Sequence, residues 1–450
     1  MYLSTLTFTV GMLPVVLLCY YLIPARARTG FLLAVSLVIY GWGSPARLLY
    51  PAACVCFIYG AGLLLEHLRE KRTLCSILLA GSAVGLTAAM VWVRSAAAGG
   101  FLFPFGIAVY TLQGLGYLIG VYRGRHPATV RFHELALYLC LFPIVFAGPL
   151  LNYVEFQEQL KSRKCTVIEL GGGLELFIRG LAEKVVLADT FGYIFRELRQ
   201  TGEMSMLTAW ITTVAFSMYL YFELLGYTEM ARGLCRIFGF ELPRSFSQPF
   251  FNSGVTGFMQ NWNITLLLWF QTNFRYFLFG RLQKKWQKYA ALILTWVLIG
   301  AWYGLKPQFA VWGLTIGLLL TLDQLVLEPL LRGRFVRGMV LTNIILQFTW
   351  VMFFADHLGD AVSVWRSMVG FGKGLADSTG IYFFTSYIAL LLLGLYIATD
   401  LFRNITERIA STEFGKRIQV LRPAAHGLLL LFCLASMLYG QSLQGLWLHI

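Results

Sequence analysis

The chain has 450 residues, 58% hydrophobic and 13% charged, about half the charged share of an ordinary soluble domain. Its net charge of +14 would point to nucleic acid in a soluble protein. Here the basic residues fall in short loops between apolar runs of about 20 residues, so the chain reads as a polytopic membrane protein and the charge as topological.

The elements follow in order. Residues 6–24 form a first span with neither a basic leader nor a small-residue cleavage site, so it is retained. Arg26 and Arg28 follow it. Runs at 31–43 and 47–65, parted at Gly43-Ser44-Pro45, lead to the charged loop 66–72. Runs at 74–93 and 101–121 lead to Arg123, Arg125 and Arg131. Counting spans puts these basic loops on one side, which makes that side cytoplasmic and the N-terminus external. Residues 134–151 contain Pro143 and Ala147-Gly148-Pro149, so they form a bent or partly re-entrant element. After the polar stretch 152–164, residues 168–200 read as an amphipathic helix lying along the interface, with Glu175 and Arg179 as an i,i+4 pair.

Residues 205–225 span again. The polar, aromatic stretch 257–280 is followed by Arg281, Lys284, Lys285 and Lys288, a further cytoplasmic segment that Arg275 joins. Spans at 289–304, 308–328, 336–356, 381–402 and 425–445 complete the chain. Basic loops around Arg332, Arg334 and Arg337, and from Arg403 to Arg422, interrupt them. The expectation is an all-α protein with about 11 spans. No internal repeat or soluble linker divides it, so it reads as one membrane-embedded domain over 1–450, with its motif core at about 105–320. The eight cysteines lie mostly in apolar runs, and Cys54 and Cys56 are too close for a zinc pair. No disulfide framework, metal site or cofactor is expected.

Polar chemistry concentrates between Tyr221 and Gly313. Glu223 and Glu229 sit in apolar sequence. Gln260, Asn261, Trp262 and Asn263 form an uncharged polar patch, and Trp302-Tyr303-Gly304 and Trp312-Gly313 close the stretch. Such groups inside a bilayer mark a functional site by default. The alternative is that they pair and hold helices together. Glu223, Glu229, Gln260, Asn261, Trp262 and Trp302 are candidates to line a tunnel or bind substrate. The two glutamates are six residues apart and face different sides of a helix. Arg232 is a ready partner for Glu229.

The order of several motifs resembles the membrane-bound O-acyltransferase (MBOAT) family, in its branch of alginate O-acetylation and D-alanyl transfer to teichoic acids. The motifs are Tyr117 to Gly124, with Gly120 where the family usually has Asp; Phe142-Pro143 with Ala147-Gly148-Pro149; Lys184 to Asp189; Tyr221 to Gly233, with both family aspartates lengthened to glutamate; and Leu242-Pro243 through Pro249-Phe250. The likeness runs from the N-terminus to about residue 370. It implies a helical membrane core and acyl transfer to a hydroxyl, with histidine as the base. At the three positions where the family carries histidine, this chain has Tyr303, Asn263 and Ile316, and none of its six histidines lies between residues 134 and 356.

A phenol titrating near ~10 and an amide are poor bases at neutral pH. The resemblance therefore implies a catalytically silent, pseudoenzyme-like member in the plasma membrane that serves cell-surface polysaccharide modification. Its implied partners are membrane lipid, an acyl donor, an exported polysaccharide and a periplasmic or extracellular protein, with no nucleic acid. The alternative is an active O-acyltransferase that uses Glu223, Glu229 or Tyr303. A transporter with a broken-helix core is a third reading, and the lack of a repeat argues against it.

Overall fold

The computed structural model describes residues 3–98, 106–146, 148–200, 202–274, 284–331, 333–399 and 420–439, with Arg408 and Thr412 besides. Ala147, Arg275, Arg281, Arg332, Arg403, Lys416, Arg417 and His449 lie outside the described residues, as do the start of the 101–121 run and the ends of the 381–402 and 425–445 runs. Regular structure among the described residues is helical. Among the described residues, seven helices are long and apolar enough to cross a bilayer: Pro45–His67, Arg72–Ser95, Met206–Ile237, Pro307–Leu331, Phe335–Phe354, Ser378–Ala398 and Arg422–Tyr439. Thr7–Leu22, Ile107–Tyr122 and Phe132–Val145 are shorter apolar stretches. Leu392 and Leu431 point outward from the last two long helices, as a lipid-facing surface requires.

The chain forms two compact units, one of residues 1–180 with 227–243, the other of 181–226 with 244–450. The first holds α1 (Leu13–Leu22), α2 (Arg28–Gly41), α3 (Leu49–His67), α4 (Arg72–Ala98), α5 (Ile107–Tyr122), α6 (Phe132–Cys140), α7 (Phe142–Val145), α8 (Tyr153–Ser162) and α9 (Val167–Ala182). Small residues let α3 and α5 touch: a Cβ on Gly114 would stand 2.3 Å from Ile58 Cδ1. The bend expected in 134–151 falls at Leu141, where α6 stops and Pro143 opens α7. The amide freed at Phe142 donates to Ser36 Oγ at 3.2 Å. A broken helix at membrane depth needs such a replacement acceptor.

The second unit begins with a π turn over Glu183–Ala188 and α10 (Asp189–Arg199). The stretch expected to lie along the interface is thus helical throughout, with the π turn inside it. Leu181, Lys184, Ala188 and Phe191 in its middle are fully buried, so it packs inside protein. Next in the chain comes α11 (Met206–Ile237), with residues 206–226 in this unit and 227–237 in the first; its 32 residues carry the helix past the expected end at 225 and place both glutamates in mid-helix. There follow α12 (Val255–Gln260), α13 (Ile264–Trp269), α14 (Lys285–Tyr303), α15 (Pro307–Leu322), α16 (Glu328–Leu331), α17 (Phe335–Phe354), α18 (Leu358–Met368), α19 (Ser378–Ala398) and α20 (Arg422–Tyr439).

The α14–α15 hairpin is the closest helix pairing in this unit. Gly300 faces Gly313 across it, while Gly304 lies under the Phe309 ring and Gly317 against Ile293. A Cβ on Gly300 would lie 2.1 Å from the Phe309 carbonyl oxygen, and one on Gly313 2.2 Å from that of Trp296. Two small-xxx-small patterns let the backbones meet. That contact sets Tyr303 beside Trp312.

Candidate functional site

Two of the sequence-predicted residues, Asn263 and Tyr303, meet at the connected end of the α14–α15 hairpin. Asn263 caps α13 with φ +47°, in the left-handed region. Asparagine enters that region more readily than most side chains. The turn it makes is pinned on both sides: the Ile264 amide donates to the Ser245 carbonyl at 2.7 Å, and the Ser247 amide to that of Asn261 at 3.1 Å. The proline-containing loop after α11 is thereby fastened to the polar patch. Asp323 accepts from the Thr256 amide at 2.9 Å and fixes the start of α12.

So held, Asn263 donates through Nδ2 to Tyr303 Oη at 3.2 Å. Tyr303 is 2% exposed. Its ring stands edge-on to Trp302 at 5.3 Å, Trp312 at 5.7 Å and Phe353 at 5.5 Å. Trp350 stacks on Trp312 at 5.9 Å and reaches Trp262 at 4.9 Å, while Phe258 stacks on Trp262 at 5.6 Å and also lies 6.5 Å from Trp350. The indole N–H groups of Trp312 and Trp350 are buried without an acceptor among the described residues. Ile316, one turn beyond Trp312, is fully buried. The cluster is an aromatic box around a phenol and an amide. It offers hydrogen-bond donors and apolar walls, and Tyr303 and Asn263 supply no side chain that ordinarily titrates near neutrality.

The two glutamates belong to separate networks. Glu223 and Lys184 are both fully buried and meet at 2.9 Å. Lys184 also donates to Asp189 Oδ1 at 2.5 Å. The π turn makes that second contact, because its i to i+5 pairing lays residues five apart over one another. Glu229 is gripped by two arginines: Oε2 accepts from Arg179 at 2.6 Å and Oε1 from Arg232 at 2.5 Å. The expected Arg232 partner is present, and Arg179 is an addition that the sequence did not disclose. Neither carboxylate is left as an isolated buried charge, which would be costly.

The remaining candidates divide. Trp262 belongs to the box and Trp302 lies half-buried at its edge. Asn261 spends its amide on the Gly257 carbonyl at 2.8 Å and on Asn252 at 3.3 Å, so it builds the turn. Gln260 is exposed. Trp350 and Phe353, central to the box, were not singled out in the sequence. They lie in an apolar run whose tryptophans look like those of any span.

Comparison with known proteins places this geometry in context. The sequence profile of the membrane-bound O-acyltransferase (MBOAT) family matches residues 89–355. The chain is similar to the probable alginate O-acetylase AlgI of Pseudomonas aeruginosa, 29% identical over 427 residues, covering 87% of this chain and 81% of that protein. It is 28% identical over 301 residues to the peptidoglycan O-acetyltransferase of Helicobacter pylori, covering 60% and 57% of the two chains. It is 26% identical over 227 residues to the teichoic acid D-alanyltransferase of Bacillus subtilis, covering 48% and 58%.

Proposed function

Because the chain belongs to the membrane-bound O-acyltransferase family, we propose that it serves O-acylation of an exported cell-surface polysaccharide and that its own centre does not work by a histidine base. The relatives named for alginate and peptidoglycan O-acetylation support the substrate class. The observation that carries the silent centre is the Asn263–Tyr303 hydrogen bond, which joins two of the three positions where the resemblance implies histidine. Removing a general base typically costs roughly 10²–10⁴ in rate, and the residues that stand here do not replace one. The chain then acts as a binder or scaffold for an acyl donor, a glycan or an active partner.

The glutamates are poor substitutes. A base must be free to take a proton, whereas Glu223 is held by Lys184 and Glu229 by two arginines. Purified protein given acyl thioesters and glycan hydroxyls should turn over no faster than a denatured control. Tyr303→His should not restore turnover, because Asn263 still stands opposite and positioning is lost. Turnover by the unaltered protein above the control would overturn the silent reading. The proposed topology puts the N-terminus outside and the loops 66–72, 122–131 and 281–288 in the cytoplasm. Labelling of single introduced cysteines in those loops by an impermeant reagent from outside would reverse it.

A further inference from the structure

A cavity of about 380 Å³ opens among α13, the π turn Phe270–Phe274, α14 and the π turn Asp323–Leu327 of the second unit, and its wall residue Trp296 stands edge-on to Trp312 of the Tyr303 box at 6.1 Å. Its rim carries Lys285, Lys288 and Tyr289 with the carboxamides of Gln271 and Gln324. Leu267, Leu292 and Trp296 line the rest, and no carboxylate is among the described lining residues. Two ammonium groups without an opposing acid select an anion. The apolar walls select a ligand that is only partly polar. The volume is near the lower end of ligand sites, roughly 300–1,000 Å³, enough for a phosphate head and the first carbons of a chain. Beside the rim, the Trp286 side chain is 65% exposed. An outward indole next to lysines at the start of an apolar helix is the pattern of a membrane–water interface.

We propose that this cavity binds the phosphodiester head of an anionic membrane phospholipid, with the lysines on the phosphate and the head of the acyl chain against Leu267, Leu292 and Trp296. The shared chemistry is a phosphate with an attached apolar chain. A lipid is favoured over a soluble phosphate because polar rim and apolar wall occur together at an interface position.

The test uses the full chain in mixed vesicles of phosphatidylglycerol and phosphatidylcholine, followed by detergent extraction and counting of retained lipid by native mass spectrometry. The unaltered protein should retain phosphatidylglycerol in preference to phosphatidylcholine. Lys285→Gln with Lys288→Gln, both at exposed positions, should weaken that preference about thirtyfold, as the loss of two lysine charges near an anionic head predicts. Leu292→Trp fills the apolar wall, keeps both charges and should also release the lipid. Millimolar inorganic phosphate should not displace it. Equal retention of the two lipids, or full retention by the double lysine variant, overturns the proposal. Displacement by inorganic phosphate overturns the lipid as its source.

Discussion

The carboxylates of α11 and the box around Tyr303 contrast in how polar groups survive in an apolar interior. Glu223 and Glu229 keep cations: Lys184 for one, Arg179 and Arg232 for the other. The box keeps its aromatic walls and its glycine-packed hairpin, while its central polar pair is a phenol and an amide. Charge in the first region is compensated because an unpaired buried charge threatens the fold. The second region needs no compensation. It packs around two uncharged side chains, Tyr303 and Asn263, that share one hydrogen bond. Substitutions in the two regions should therefore fail in different ways.

The largest effect should come from Lys184→Met, which strands Glu223 in the core. A broken buried pair costs about 3–5 kcal/mol, so monodisperse protein should largely disappear from detergent extracts. Lys184→Met combined with Glu223→Leu should recover much of it. A single variant as stable as the unaltered protein would mean that the pair does not hold this region. Glu229→Gln should cost less, about 2 kcal/mol, the scale of one hydrogen bond to a charged group. Arg179 is partly exposed and water screens its loss. Its expected signature is a lower folded yield. Normal yield with loss of a surface acylation would move Glu229 from the fold to the chemistry.

The smallest effect concerns acid. Partial burial of Asp360 in α18 works against its ionisation. Its two hydrogen bonds from Arg199, at 2.8 and 3.2 Å, and one from the Asp356 amide outweigh that and hold the carboxyl below its usual range. The folded value is depressed, so the stabilisation is complete above the unfolded value near ~3.9 and fades as pH falls through the lower folded one. Thermal midpoints taken from pH 6 downward should therefore fall more steeply below about pH 4 in the unaltered protein than in Asp360→Asn. Identical slopes would remove this pair from the account.

Local features of the chain were legible. The helical class, the break near Pro143 and the Glu229–Arg232 pair all follow from period, breaker or i,i+3 spacing. What stayed hidden depends on long-range approach. Arg179 reaches Glu229 across 50 positions, and Lys184 reaches Glu223 only because α11 passes the buried π turn. Composition cannot place a π turn, so the 168–200 stretch read as a surface helix. The meaning of Asn263 was half visible: its position among the motifs was plain, but its left-handed backbone and its aim at Tyr303 required the fold. Gly300, Gly304, Gly313 and Gly317 could have been read as a packing signal from their spacing alone.

Tyr303→Phe tests the central claim most directly, because it removes one oxygen and keeps the ring against Trp302, Trp312 and Phe353. In cells whose surface acylation depends on this chain, the account predicts acylation and protein level equal to those of the unaltered protein. Loss of acylation at an unchanged protein level would contradict it and make the phenol a working acid or nucleophile.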